Sequence, residues 1–268
     1  MKIGIFDSGL GGLYIANAIK AYLPQYDYVY LGDTLHVPYG RRSVDTVYNL
    51  TRKAIDYLFS AQDCALVIVA CNTASALALR RIQQEYLVKA YPERRVLGVI
   101  VPTLEYAADH KLRRISMLAT EATCNSGIYE EELGKIDPAI QMFAQSAPLL
   151  VPMLEHDGAD FLDQALDKYL SPLRTKNIDS LILGCTHYCL LKDKIAAYLG
   201  NDVQIVSQDE IIPKKLDAYL NKHGWLDIQL SQKSQFDVCI TDISKSFQTT
   251  AEDIIGTDIG DIQRVDLL

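Results

Sequence analysis

Two cysteines stand in matching surroundings and are the residues best suited to chemistry. Cys71 lies in segment 67–74, which reads Val-Ile-Val-Ala-Cys-Asn-Thr-Ala. Cys185 lies in segment 181–188, Leu-Ile-Leu-Gly-Cys-Thr-His-Tyr, 114 positions further along the chain (185 minus 71). In both segments a short buried strand is predicted to end at a thiol, and polar residues then open a helix. We interpret the two thiols as an opposed acid/base pair.

The start of a helix is a reactive environment for a thiol. It favours the thiolate, so we expect the pKa of Cys71 and of Cys185 to lie below the free value of about 8.5. Asn72 and Thr186 are suitable residues to begin those helices. A free cysteine is more often a small buried hydrophobe. We interpret the other four cysteines in that way: Cys64, Cys124, Cys189 and Cys239.

Four further polar side chains lie where strands or helices are predicted to end. Asp7 and Asp33 follow strands: Asp7 either caps the next helix or accepts a proton, and Asp33 either builds the local turn or accepts a proton. Glu155, in Met-Leu-Glu-His-Asp, would ordinarily be interpreted as a surface charge. His187 lies two residues after Cys185, so in an extended segment both side chains point to the same side. An imidazole beside a thiol is a credible general acid or base.

Other kinds of site fit the sequence less well. Gly9 and Gly11 are followed by Tyr14, so the third glycine of the dinucleotide-binding motif is missing. Cys185, His187 and Cys189 lack the second cysteine pair that would complete a zinc site. The Cys-x-x-Cys motif of disulfide oxidoreductases is absent. We therefore expect no metal and no nucleotide.

The reactive residues are positioned by strands that alternate with helices. Strands are predicted at 2–6, 28–31, 65–70, 96–101, 115–119, 181–183 and 203–206, and near Phe236 and Val265. Pro102 is expected to end the fourth of these. The alternation predicts an α/β protein with mainly parallel sheets, which bind ligands at the carboxyl ends of their strands. A faint repeat at an offset of 112 residues suggests two similar halves with one cysteine on each wall of a cleft.

Composition excludes some classes of function. The 268-residue chain is 49% hydrophobic and 22% charged, as in an ordinary globular protein. Its net charge of −8 argues against nonspecific nucleic-acid binding, which depends on Lys and Arg contacts to phosphates. The longest apolar run, 65–71, is too short to span a bilayer, and no signal peptide is visible. We expect free thiols and a cytoplasmic location without a membrane partner.

Taken together, the motifs resemble the glutamate racemases of the cofactor-independent aspartate/glutamate racemase superfamily. The resemblance covers most of the chain in the family's order. It rests on segments 6–12, 32–34, 37–40, 70–74, 151–152 and 184–188, together with Thr120, Thr123 and Glu155. It implies two similar α/β domains with the active site in the cleft between them. By analogy the first domain comprises residues 1–96 and 207–268, and the second residues 97–206.

The resemblance also implies the reaction, which is inversion of glutamate at its α-carbon by two bases. Cys71 would take the proton from D-glutamate and Cys185 from L-glutamate. Asp7 would assist Cys71, while Glu155 and His187 would assist Cys185; Asp33 completes the predicted catalytic set. The expected substrate-binding residues are Asp7, Ser8, Pro38, Tyr39, Gly40, Asn72, Thr73, Thr120, Thr123 and Thr186. No lysine lies in a motif that suggests a pyridoxal Schiff base, so we expect no cofactor.

The cellular role implied is supply of D-glutamate for peptidoglycan synthesis, by a homodimer. Two alternatives remain open from the residues alone. One is another member of the superfamily, such as an aspartate racemase. The other is a non-catalytic binding protein, because some glutamate racemases bind and inhibit DNA gyrase. Both thiols and their helpers are retained, which favours catalysis.

Overall fold

The apolar runs form two parallel sheets in the computed structural model, which describes residues 1–155, 158–243, 249, 251–252, 254 and 262–267. The first sheet has the strand order β10-β9-β2-β1-β3-β4. Its strands are β1 Lys2–Asp7, β2 Tyr28–Gly32, β3 Cys64–Val69, β4 Arg95–Gly98, β9 Phe236–Ile240 and β10 Gln263–Arg264. The second sheet has the order β6-β5-β7-β8. Its strands are β5 Arg114–Ala119, β6 Gln141–Ser146, β7 Ser180–Gly184 and β8 Gln204–Val206.

Helices connect the strands and cover both faces of the sheets. The α-helices are α1 Gly12–Tyr22, α2 Val44–Ser60, α3 Asn72–Leu77, α4 Leu79–Arg81, α5 Val88–Ala90, α6 Ile100–Asp109, α7 Glu121–Asn125, α8 Ile128–Ile136, α9 Leu150–Glu155, α10 Leu162–Leu170, α11 Lys192–Leu199, α12 Gln208–Lys222 and α13 Gly224–Asp227. Short 3₁₀ turns lie at Tyr39–Arg41, Ala159–Phe161, Ser171–Lys176 and Thr186–Leu191, and a π turn at Ile82–Leu87. Each sheet has one apolar core on either face.

The register of each sheet aligns the ends of its strands. In the first sheet, Asp7 at the end of β1 pairs with Gly32 at the end of β2. In the second, Ala119 at the end of β5 pairs with Gly184 at the end of β7. All the described pairings in both sheets are parallel, so the residues that follow these strands gather at one edge of each sheet.

The predicted α/β class with two parallel sheets is confirmed. The chain passes from the first sheet to the second after β4, which ends at Gly98, and returns to the first sheet with β9. The predicted domain limits, after residues 96 and 206, stay a prediction. No helix in the described ranges has both the length and the apolar character needed to cross a membrane.

Two local predictions were wrong. The strand predicted at 96–101 ends at Gly98, and α6 begins at Ile100 with Pro102 in its first turn. Proline is tolerated there because the first N–H groups of a helix have no partner within it. The sequence analysis also missed β6, whose side chains are half-buried or exposed. A strand at the edge of a sheet needs no continuous apolar run, and Gln-Met-Phe-Ala-Gln-Ser has none.

Candidate active site

A narrow cleft lies where the carboxyl ends of the two sheets face each other. From the first sheet it is lined by Ser8 after β1, residues 37–41 after β2, and residues 71–73 after β3. From the second sheet it is lined by residues 120–121 after β5, 147–148 and 151–152 after β6, and 185–187 after β7. Cys71 and Cys185 therefore face one cavity, one from each sheet.

Cys71 is a buried thiol at the start of α3. Its side chain is 4% exposed, and its sulfur accepts the backbone N–H of Ala74 at 3.5 Å. The Cys71 sulfur also lies 3.4 Å from the Ser8 hydroxyl. Burial, and then the nearby Asp7 carboxylate, raise the pKa of Cys71 to about 12. The predicted lowering of the pKa at Cys71 is therefore wrong, because loss of hydration outweighs the start of a short helix.

Cys185 is accompanied by an imidazole and a carboxylate. His187 Nδ1 lies 3.9 Å from the Cys185 sulfur, and His187 Nε2 bonds to Glu155 Oε1 at 2.5 Å. Burial alone disfavours the imidazolium, but the hydrogen bonds to Cys185 and Glu155 outweigh it and raise the pKa of His187 well above its ordinary value. Glu155 itself does not line the cavity. This chain of groups provides a route for protons to and from the sulfur.

Asp7 lies behind the cavity wall and links the two sheets. It is fully buried; its Oδ2 accepts the Gly9 backbone N–H at 3.0 Å, and its Oδ1 accepts the Thr186 hydroxyl at 3.2 Å. Burial raises the pKa of Asp7 to about 6, while His187 and these hydrogen bonds act in the opposite direction. A carboxyl group with that pKa can exchange a proton near neutral pH.

Asp33 also lies outside the cavity lining, where it holds Tyr39. The Asp33 carboxylate accepts the Tyr39 hydroxyl at 2.6 Å and the Thr241 hydroxyl at 2.8 Å. Its third partner is His36 Nδ1 at 2.8 Å. These contacts give Asp33 the geometry of a residue that orients the cleft wall.

The turn after β2 forms that wall. Pro38, Tyr39 and Gly40 all line the cavity, and the Val37–Pro38 peptide bond is cis. Gly40 approaches Thr120 so closely that an added Cβ atom would lie 2.6 Å from Thr120 Cβ. Only glycine allows this approach between the loop of one sheet and the first residue after β5 of the other.

Three threonine hydroxyls meet across the cleft. Thr73 Oγ1 lies 3.0 Å from Thr120 Oγ1 and 3.2 Å from Thr123 Oγ1, and the last two are 2.9 Å apart. Thr73 and Thr120 line the cavity, whereas Thr123 lies behind them. Together with the Ser8 side chain and the backbone N–H groups at the helix starts, they supply neutral donors suited to anions, whereas the Thr186 hydroxyl donates to Asp7.

Several residues at the site were not predicted from the sequence. Gln208 and Tyr129 are bonded to the Asn72 side chain, although both are far from it in sequence. Arg41 and Glu121 are exposed and line the cavity. Gln208 and Glu121 lie two residues after the ends of β8 and β5, so their positions were available from the predicted strands, whereas the bond between Gln208 and Asn72 depends on the fold. Among the described residues, no three His, Cys, Asp or Glu side chains converge as metal ligands.

Comparison with known proteins agrees with this architecture. Residues 14–210 match the family described as Asp/Glu/hydantoin racemase. The glutamate racemase of Geobacter metallireducens is 35% identical over 99% of this chain and 96% of its own. A crystal structure of a glutamate racemase from Bacillus anthracis has a TM-score of 0.88 at 33% identity, covering 99% of this chain and 97% of that one. The glutamate racemase from Francisella tularensis, solved with D-glutamate, has a TM-score of 0.87 at 32% identity and the same coverage.

Two facing parallel sheets with a thiol from each in their shared cleft define an α/β protein of the racemase type. The chain belongs to the Asp/Glu/hydantoin racemase family, since the family match spans more than half of it. The resemblance inferred from the motifs is thereby confirmed, and so is the enzyme class, an amino-acid isomerase.

Proposed function

We propose that this protein is a glutamate racemase that interconverts L- and D-glutamate by proton transfer between Cys71 and Cys185. The observation that carries the proposal is the placement of the two thiols on one cavity, one from each sheet. The names of the similar proteins support glutamate as the substrate, including the one solved with D-glutamate.

Inversion at the α-carbon requires removal of a proton on one face and delivery on the other. With L-glutamate, the Cys185 thiolate forms an S–H bond as the Cα–H bond breaks, and the electron pair is delocalised into the α-carboxylate. The Cys71 thiol then gives its proton to the opposite face of that carbon and becomes the thiolate. D-glutamate reacts through the same steps in reverse. The raised pKa of Cys71 suits it to hold the proton before this delivery.

Different groups assist the two thiols. Asp7, whose carboxylate lies near Cys71, is the base that accepts the proton of that thiol and returns it. The imidazole of His187, held by Glu155, does so beside Cys185. Since the α-hydrogen is far less acidic than any thiol, positioning and exclusion of water must supply much of the rate.

Neutral donors hold the substrate in this proposal. Ser8, Asn72, Thr73, Thr120 and Thr186 line the cavity and bind the carboxylates together with backbone N–H groups. Pro38, Tyr39 and Gly40 enclose the side-chain carboxylate; Asp33 orients Tyr39 from behind, and Thr123 orients Thr120.

The proposed activity also suggests a role in the cell. The product, D-glutamate, would enter peptidoglycan synthesis in the cytoplasm. The domain division at residues 96 and 206, a homodimeric state, and a DNA gyrase interaction are each separate hypotheses that the racemase activity does not require.

Solvent exchange tests the function directly. The protein is incubated with L-glutamate in D₂O, and the α-proton NMR signal and the optical activity are followed. We expect loss of the α-proton together with inversion, and no comparable reaction with L-aspartate. Exchange with aspartate alone would identify the other racemase, and absence of exchange with either amino acid would favour a binding role.

Single substitutions test the roles of the thiols. Cys71→Ser and Cys185→Ser should each reduce racemisation by at least about 10³-fold, because a serine hydroxyl is a far weaker acid than a thiol. Cys64→Ser provides a control, since Cys64 is buried in the first sheet, outside the cleft. A fully active variant at either Cys71 or Cys185 would refute the two-base assignment.

A further inference from the structure

Three hydrogen bonds tie the Asn72 side chain to Gln208 and Tyr129, two residues from distant parts of the chain, and a fourth joins those two residues to each other. Asn72 Nδ2 donates to Gln208 Oε1 at 2.8 Å, and Gln208 Nε2 donates back to Asn72 Oδ1 at 2.8 Å. The Tyr129 hydroxyl donates to Asn72 Oδ1 at 2.5 Å and accepts Gln208 Nε2 at 3.3 Å. Asn72 and Gln208 are 2% and 1% exposed, and Tyr129 is fully buried.

The three residues begin or belong to helices on both sides of the cleft. Asn72 is the first residue of α3 and directly follows Cys71. Gln208 is the first residue of α12, which follows β8 of the second sheet, and Tyr129 lies in α8, which follows β5. The network therefore connects the strand end that carries one thiol to two helices that follow strands of the other sheet.

A count of donors and acceptors shows what the network does to Asn72. The two partners occupy both lone pairs of Asn72 Oδ1, and Gln208 occupies one of the two N–H bonds of Nδ2. One N–H bond of the Asn72 side chain is left, and Asn72 is among the residues that line the cleft. The Asn72 amide cannot rotate by about 180° without losing hydrogen bonds to buried groups, so its remaining N–H is fixed in one direction.

We propose that Gln208 and Tyr129 are positioning residues for racemisation, acting through Asn72. They aim its free N–H into the cleft, where it donates to a carboxylate of the amino-acid substrate, and they hold the start of α3 and so Cys71. This inference rests on the proposed function of the site. Of the two, Gln208 has the larger role, because it contacts both the oxygen and the nitrogen of the Asn72 amide.

Gln208→Glu is the informative variant. A carboxylate keeps an acceptor for Asn72 Nδ2 but cannot donate to Asn72 Oδ1, whereas the protonated carboxyl can. We therefore expect kcat/KM to fall at least about tenfold at pH about 8. The loss is large because the hydrogen bond that positions Asn72 toward a charged carboxylate is removed. The ratio of variant to wild-type kcat/KM should then rise as the pH is lowered. Using the ratio removes the pH dependence that Asp7 imposes on both proteins.

The other groups near the introduced carboxyl do not mimic this behaviour. Tyr129 faces it, and burial raises the pKa of that phenol far above the ordinary value. Cys124 and Cys185 lie close enough to raise the pKa of Tyr129 further, and Asp209 follows in the same helix. All four are present in the wild type, so their titration contributes to both members of the ratio.

Two further variants separate positioning from general damage. Tyr129→Phe leaves both bonds between Gln208 and Asn72 in place, so we expect a smaller loss of kcat/KM with no change of the ratio with pH. Gln204→Glu adds the same charge on the exposed side of β8, four residues from Gln208, and should behave as the wild type. The rate at which iodoacetamide alkylates Cys71 is measured in every variant, since it reports on the start of α3 without turnover.

The outcomes are distinct for the two proposals. A wild type that does not racemise glutamate refutes the proposed function, and the alkylation rates then decide the positioning role alone. An active wild type with an unaffected Gln208→Glu variant, or with a variant ratio that does not change with pH, overturns the positioning role and leaves the function intact.

Discussion

At the scale of single residues, Asp7 should impose an acid limit on activity. Its pKa is raised to about 6 by burial, so below that pH the carboxylate beside Cys71 is lost. We expect kcat/KM to fall as the pH decreases through about 6, because a protonated carboxyl cannot accept a proton from the thiol. A pH–rate profile of the wild type measures the limit. A profile that stays level down to about pH 4.5 would remove Asp7 from this role.

The same ionisation affects stability in the opposite direction. The folded pKa of Asp7 lies above the ordinary value of 3.8, so burying the carboxylate costs free energy at neutral pH. As the pH falls below about 6, the folded protein takes up a proton that the unfolded chain does not yet bind. Relative to Asp7→Asn, the wild type should therefore gain about 2–3 kcal/mol of unfolding free energy between about pH 7.5 and 4. Urea unfolding of both proteins at each pH measures the difference, and a constant difference would contradict the shift.

The carboxylate of Glu155 should matter through the imidazole that it holds. Glu155→Gln keeps the shape of the side chain but removes the charge that helps to raise the pKa of His187. We expect kcat to fall about 10–100-fold in both directions, since the proposed mechanism requires Cys185 to change its protonation state in every turnover. Asp163→Asn, at an exposed position in the first turn of α10, is the matched control. Unchanged kcat in Glu155→Gln would exclude the Glu155–His187 pair from proton transfer.

At the scale of elements, the contact between the turn Tyr39–Arg41 and the start of α7 depends on a missing side chain. An alanine at position 40 would place its Cβ 2.6 Å from Thr120 Cβ, so turn and helix must separate. We expect Gly40→Ala to lower the unfolding free energy by about 1–3 kcal/mol and to reduce kcat/KM strongly, since overpacking shifts the cleft wall.

Gly134 supplies the contrasting case for that experiment. It lies within α8, and an added Cβ meets no atom within 4 Å. Gly134→Ala should raise the unfolding free energy by about 0.5–1 kcal/mol and leave kcat/KM unchanged. Thermal unfolding and steady-state kinetics of both variants check the pair. If Gly40→Ala were as stable and active as Gly134→Ala, the close contact would not matter.

The elements also show which features a sequence can predict. Strands β1, β3, β5 and β7 are buried along nearly their whole length. Their apolar runs therefore predicted both the strands and the positions of the polar residues that follow them. Strand β6 is an exposed edge and gave no such signal. Gln208 is 136 positions from Asn72 in the sequence, so the two meet only in the folded chain, and no local pattern carries that contact. The pKa of Cys71 depends on burial, which composition at a helix start does not reveal.

At the scale of the whole molecule, the cleft draws residues from both sheets, so a ligand bound there should stabilise the folded chain. If the proposed substrate binds only the folded state, glutamate at about 100 times its Kd adds about 2.7 kcal/mol to the unfolding free energy. Calorimetry with increasing glutamate measures the rise in Tm.

A variant of the cleft provides the control for this experiment. Thr73→Val keeps the shape of the side chain but removes a hydroxyl that lines the cavity and contacts Thr120 and Thr123. It should need a higher glutamate concentration for the same rise in Tm. Equal responses of both proteins would place glutamate elsewhere.

The two thiols have different acid/base groups beside them, and this difference has a consequence for the kinetics of the whole enzyme. One sulfur lies near a lone carboxyl group, and the other beside an imidazole–carboxylate pair. Enantiomers have the same free energy in water, so the Haldane relation fixes the ratio of kcat/KM in the two directions at unity whatever the protein does. The asymmetry can therefore appear only in kcat and KM taken separately. Its origin is the protonation form of the unliganded enzyme that accumulates between turnovers. An enzyme built from unlike halves thus has a preferred resting form but no preferred product.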